Sequence, residues 1–170
     1  MDNRCFDKLL ELQSSYPNQV KLYQPASEQQ ILITEKFLNT KLHKDLIDLY
    51  LFSNGLGIID YCFLGNGNKK IANLIDANFT FTNSNNFDRQ IEIIGTSVDE
   101  SYFMNMNSGN IYLKATYEES LIHIASNFND FLKEFIDKLE YLLSMITGDD
   151  IIYLDDDQLP EGFSEWKCAF

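Results

Sequence analysis

From Phe128 to Ile146, large apolar residues recur at intervals of three and four: Phe128, Phe131, Leu132, Phe135, Ile136, Leu139, Leu142, Leu143 and Ile146. That spacing lines one side of an α-helix for about five turns. Ser126 or Asn127 can cap its start, and Thr147-Gly148 can end it. A stripe this broad is not stable against water, so the helix must lie on a sheet or on other helices. What the preceding residues can offer it therefore decides the fold.

They offer strands. GIIDYCFL (57–64), the alternating stretch from Asn78 to Thr82, IEIIG (91–95), SYFMNM (101–106) and IYLKA (111–115) are short runs rich in β-branched or aromatic residues. Leu121 to Ala125 is another strand or a lead-in to the long helix. Asn107-Ser108-Gly109-Asn110 has hairpin length, which makes the strands on either side antiparallel. Gly65-Asn66-Gly67-Asn68 reads as a turn, and NSNNFD (83–88) as an exposed loop.

Helical periodicity returns on the N-terminal side. Cys5, Phe6, Leu9, Leu10 and Leu12 predict a first helix that ends by Tyr16, because Pro17 disfavours helical geometry in the residue before it. Asn18 to Ala26 then serves as a link. Ser27 is placed to cap a second helix, with Glu28 in its first turn, Ile31, Phe37 and Leu38 facing inward, and a stop near Asn39 or Thr40. Asp45 can cap a third, in which Leu46, Leu49, Tyr50 and Phe52 recur at helical spacing until Ser53-Asn54-Gly55 ends it. Helices at both ends with strands between them predict an α+β fold. The expected form is a single domain whose antiparallel-rich sheet carries N-terminal and C-terminal helices packed on it.

Composition limits the function. At 170 residues, 45% of them hydrophobic, the chain can form one domain that buries roughly 70% of its unfolded surface. Cysteines at positions 5, 62 and 168 make no C-x-x-C pair and leave one over, which points to a reducing compartment. MDNRCFDKLL at the start contains no unbroken apolar run, and no stretch approaches the roughly 18 apolar residues that cross a bilayer. A cytoplasmic protein is expected. Its net charge of −13 argues against nucleic acid and anionic membranes as partners and favours a basic one. The other reading of that charge is a solvated surface with no specific partner.

Catalytic signatures are missing. His43 and His123 show neither H-E-x-x-H nor another ligand spacing. Cys62 alternates with Tyr61 and Phe63 and reads as a small hydrophobe rather than a nucleophile. Gly65-Asn66-Gly67-Asn68-Lys69-Lys70 lacks the spacing of a phosphate-binding loop, and Asp155-Asp156-Asp157 lacks the glycine and glutamate of a calcium loop. No metal, cofactor or catalytic residue is predicted.

The order of the motifs is more telling than any one of them. Glu28 ahead of an apolar helix, then LHKDLIDLYLFSNG (42–55), IEIIG, SYFMNMNSGNIYL (101–113) and IASNFNDFLKEFI (124–136) resemble the SUKH superfamily over about residues 26–147. One departure is visible: His43 stands where the proline of that family's Leu-Pro step usually does. The resemblance implies a binding protein without an active site. Bacterial members are mostly immunity proteins that neutralise a cognate toxin domain, often a nuclease, whereas eukaryotic members act as regulatory scaffolds. A helix-backed domain over 1–148 would be followed by an acidic extension, 149–170, packed on it.

That extension is unusual in its own right. Asp149 to Phe170 holds seven acids against Lys167 alone, a net charge of −6 out of −13. Ile151, Ile152, Tyr153, Leu154, Trp166 and Phe170 are interleaved with the acids, unlike a purely solvating tail. Either the apolar residues fold back on the core, or acids and aromatics together form an interaction patch. On the second reading Tyr153, Asp155, Asp156, Asp157, Glu161, Glu165 and Trp166 are the predicted partner-binding residues. The function expected is non-enzymatic neutralisation of a basic protein toxin. The alternatives are a regulatory scaffold for a host protein and a hydrolase whose carboxylates and histidine converge only in the fold.

Overall fold

The computed structural model describes residues 3–59, 61–66, 73–79, 90–96, 100–115 and 120–145. Helix α1 (Asn3–Ser15) leads to strand β1 (Val20–Leu22), and α2 (Glu28–Leu38) and α3 (Lys44–Phe52) follow. Strands β2 (Leu56–Ile58) and β3 (Tyr61–Phe63) precede the short helix α4 (Leu74–Phe79). Strands β4 (Gln90–Thr96), β5 (Glu100–Asn105), β6 (Ile111–Ala115) and β7 (Ile122–Ala125) then run into α5 (Phe128–Met145). The strands form one seven-stranded sheet in sequence order, each pairing antiparallel with the next. This is the α+β, helix-backed antiparallel fold that the periodicities predict.

Alternation along the strands explains how α5 is held. Tyr61 and Phe63 of β3, Tyr102 and Met104 of β5, and Ile111 and Leu113 of β6 point to one side and are buried. Phe135 of α5 sits at their centre, edge-on to Tyr61 (ring centroids 5.0 Å apart) and to Phe63 (5.4 Å), with Tyr102 at 6.5 Å and Phe131 at 5.6 Å. Edge-to-face pairs add to the area these rings remove from water. α1 flanks α5 through the Lys8 to Glu140 ion pair and reaches α3 through the stacked rings of Phe6 and Phe52.

Several local expectations need correction. The link Asn18 to Ala26 contains β1, an edge strand too short to show a period. GIIDYCFL is two strands rather than one, because Ile59 adopts a left-handed φ of 53° and the chain doubles back. Asn78 and Phe79 are helical, in α4; residues 80–82 lie outside the described residues, as do the NSNNFD loop, Thr147-Gly148 and the proposed boundary at 148/149. Asp45 does not cap α3. His43 does, its Nδ1 accepting from the Asp45 N–H at 3.3 Å.

Asn78 belongs in a helix because its side chain completes the sheet. Its amide donates to the Glu92 carbonyl at 2.9 Å and accepts from the Glu92 N–H at 2.8 Å, filling the lane that β3 leaves open beside β4. Asn54, just after α3, does the same for Asn66. Its Oδ1 accepts from the Asn66 N–H at 2.6 Å, and its amide donates to the Asn66 carbonyl at 3.0 Å. Both asparagines are buried, so each satisfies backbone groups that water cannot reach.

Two measurements follow from this packing. Asn78→Ala strands a backbone donor and acceptor and should lower unfolding free energy by about 2–3 kcal/mol in urea titration. Burial pushes the Glu100 carboxyl up to about 7 from an ordinary 4.5. With the folded value above the unfolded one, its contribution is fully favourable below about pH 4.5 and is lost as pH rises through 7. Glu100→Gln should therefore match the parent near pH 4 and exceed it at pH 8, by on the order of 1–2 kcal/mol after solvent screening.

Candidate partner-binding face

Helix α2 is built to be held on one side and left bare on the other. Ser27 caps it in a full capping box: its Oγ accepts from the Gln30 N–H at 3.2 Å, and the Gln30 side chain accepts from the Ser27 N–H at 2.8 Å. Asn39 ends it in the left-handed conformation, with φ 50°. Ile31, Thr34, Glu35 and Leu38 are its buried side.

The expectation that Phe37 faces inward fails. Phe37 is 69% exposed, and Leu32 and Ile33 join it at 59% and 46%. Positions 32, 33, 36 and 37 fall on one side of the helix, so three large apolar residues and Lys36 form a continuous outward face. α4 packs against α2 and leaves Phe79 exposed as well. An apolar patch of this kind marks an interaction surface more often than a solvated one.

The C-terminal end of α2 is fixed by a buried carboxylate. Glu35 accepts from Lys41 Nζ at 2.6 Å and from the Leu42 N–H at 3.1 Å, folding the α2–α3 link back under the helix. Beside it lies an open hollow of about 360 Å³, lined by Leu32, Glu35, Lys36, Asn39, Thr40 and Lys41. The Lys41 side chain is 82% exposed despite its pairing, so the hollow's rim is cationic. Periodicity alone could not show this face, because α2 carries apolar residues on both sides.

The side of the sheet turned away from α5 carries half-buried polar residues around the buried Phe103. Ser101 donates to Glu92 Oε1 at 2.8 Å. Burial raises the Glu92 carboxyl, partly offset by that bond and by Lys114. His123 packs against Tyr112 with ring centroids 5.4 Å apart. His43 is far from it in role: its ring lies against Gly109, where an added Cβ would come within 3.0 Å of Nε2. Cys62 is half-buried in β3 as a strand residue. Among the described residues, no three of His, Cys, Asp and Glu gather where a metal could be held. The predicted partner-binding residues Tyr153, Asp155, Asp156, Asp157, Glu161, Glu165 and Trp166 all lie outside the described residues.

Comparison with known families matches residues 25–134 to the SMI1 / KNR4 family (SUKH-1). The chain belongs to this family. The SUKH-1 match begins just ahead of the α2 cap and ends within α5, so α1 and the chain beyond 134 fall outside it. A comparison with curated proteins finds no match. The fold also accounts for the histidine in place of a SUKH-type proline: His43 has φ −63°, the value a proline ring imposes, and extended ψ. Its N–H, which proline lacks, reaches Met106 Sδ at 3.4 Å, and its ring caps α3. Among the described residues, no helix of this SUKH-1 chain is long and apolar enough to cross a membrane.

Two substitutions separate the two sides of α2. Glu35→Ala removes the acceptor of a buried N–H and should cost about 2 kcal/mol. Phe37→Ser should change stability by no more than about 0.5 kcal/mol, as an exposed residue does. A large loss from Phe37→Ser in thermal or urea unfolding would mean that the ring supports packing rather than a contact face.

Proposed function

We propose that this chain is a non-enzymatic immunity-type protein of the cytoplasm that neutralises a cognate toxin domain by direct contact. Membership of the SUKH-1 family carries the reading. The charge of −13 supports a basic toxin, with nuclease domains a natural class, because a strongly negative surface competes for a cationic cleft and accelerates encounter. The acidic extension from Asp149 supplies part of the contact through Asp155, Asp156, Asp157, Glu161 and Glu165, with Tyr153 and Trp166 as aromatic anchors. Residues 1–148 serve as the domain that presents it.

Co-expression with the toxin encoded beside this gene tests the proposal. The expected result is rescue of growth and co-purification of a complex whose association rate falls steeply as salt rises. Lysine substitutions at Asp155, Asp156 and Asp157 should slow association by tenfold or more, on the order of the steering effect itself. Absence of both rescue and complex contradicts the proposal. Unchanged association after the triple substitution removes the extension from the contact.

A further inference from the structure

The bare α2 face and the C-terminal residues have matching chemistry. The face consists of Leu32, Ile33 and Phe37, with Lys36 beside them and the Lys41 ammonium on the rim of the adjoining hollow. Lys36 has no carboxylate partner among the described residues. In a chain of net charge −13, an apolar face edged by lysines calls for an occupant that is both apolar and acidic. Residues 149–170 are both, with seven acids and eight large apolar side chains. We infer that the outward face of α2 is the seat of this chain's own C-terminal segment, residues 149–170. Its aromatic side chains contact Leu32, Ile33 and Phe37, and its carboxylates meet Lys36, with Lys41, already paired with Glu35, at the edge of the site.

Other occupants fit less well. A second copy related by a two-fold axis would bring its own Lys36 and Lys41 onto this lysine-edged face, between two molecules of like net charge. A basic partner would meet the same repulsion. Reach is no obstacle: from Ile146 to Phe170 the chain extends up to about 80 Å, whereas a domain of this size has a radius of gyration of about 15 Å. Because the segment is tethered, its effective concentration near the face is in the millimolar range, so weak contacts suffice. The consequence is functional. Docked by its aromatic residues, the segment presents its remaining carboxylates from a fixed platform.

Trp166 is the only tryptophan, so the docking can be read in the intact chain without any toxin. Its success or failure is therefore separate from that of the toxin reading. Acrylamide quenching of Trp166 emission should be several-fold weaker in the parent than in unfolded chain. It should rise to the unfolded level in Phe37→Asp and in Lys36→Glu, both with parental circular dichroism, and should rise in the parent at high salt. Quenching in the parent equal to that of unfolded chain overturns the inference. So does protection that neither substitution alters, which would place Trp166 elsewhere. Protection that depends on protein concentration and tracks dimer in sedimentation would assign the face to a second copy and overturn the tethered arrangement.

Discussion

Phe135 makes the contact on which the architecture rests. Its ring meets Tyr61 and Phe63 from β3 and Tyr102 from β5, joining the C-terminal helix to strands far apart in sequence. The helix cannot leave the sheet without exposing these rings, a loss on the order of 3–5 kcal/mol for a truncation at this one site. With α5 seated there, α1 is clamped beside it and α3 beyond. α2 occupies a position where only one of its sides is needed for packing.

The meander itself is completed by side chains in place of backbone. Strand β3 has three residues and cannot satisfy all the groups of its longer neighbour β4. Asn78 supplies the missing donor and acceptor to Glu92, and Asn54 serves Asn66 in the same way. Asn78 thus fixes α4, the neighbour of α2, to strand β4. The outward face of α2 is positioned by interactions that do not involve it.

Legibility from sequence followed the strength of each period. The α5 stripe, the strands of 91–115 and their Gly109 turn could be read because many consecutive residues carry one signal. The Ser27 cap and the stop at Asn39 could be read from residue chemistry. Asn78 misled because alternation with Phe79 mimics a strand, while its real task is a long-range hydrogen bond that no local pattern encodes. Phe37 misled for a related reason. Hydrophobicity predicts burial only when a helix has one apolar side, and α2 has two. His43 rather than Asp45 is the cap because α3 begins at Lys44, and the imidazole Nδ1 accepts from the Asp45 N–H in its first turn. The family could be recognised from the order of its soft motifs, whereas the bare face of α2 depends on which apolar residues tertiary packing leaves uncovered.

Together these features describe a SUKH-1 domain whose packing leaves one helix face uncovered, and the proposed function adds an acidic segment that meets the toxin. Carboxyl footprinting of the toxin complex tests this most directly: exposed acids are amidated with carbodiimide in the free and bound states and compared by mass spectrometry. The account predicts strong protection of Asp155, Asp156, Asp157, Glu161 and Glu165 on binding, with Asp76 and Glu140 labelled equally in both states. Unaltered labelling of the five acids, with protection instead at Glu92 on the far side of the sheet, would contradict it.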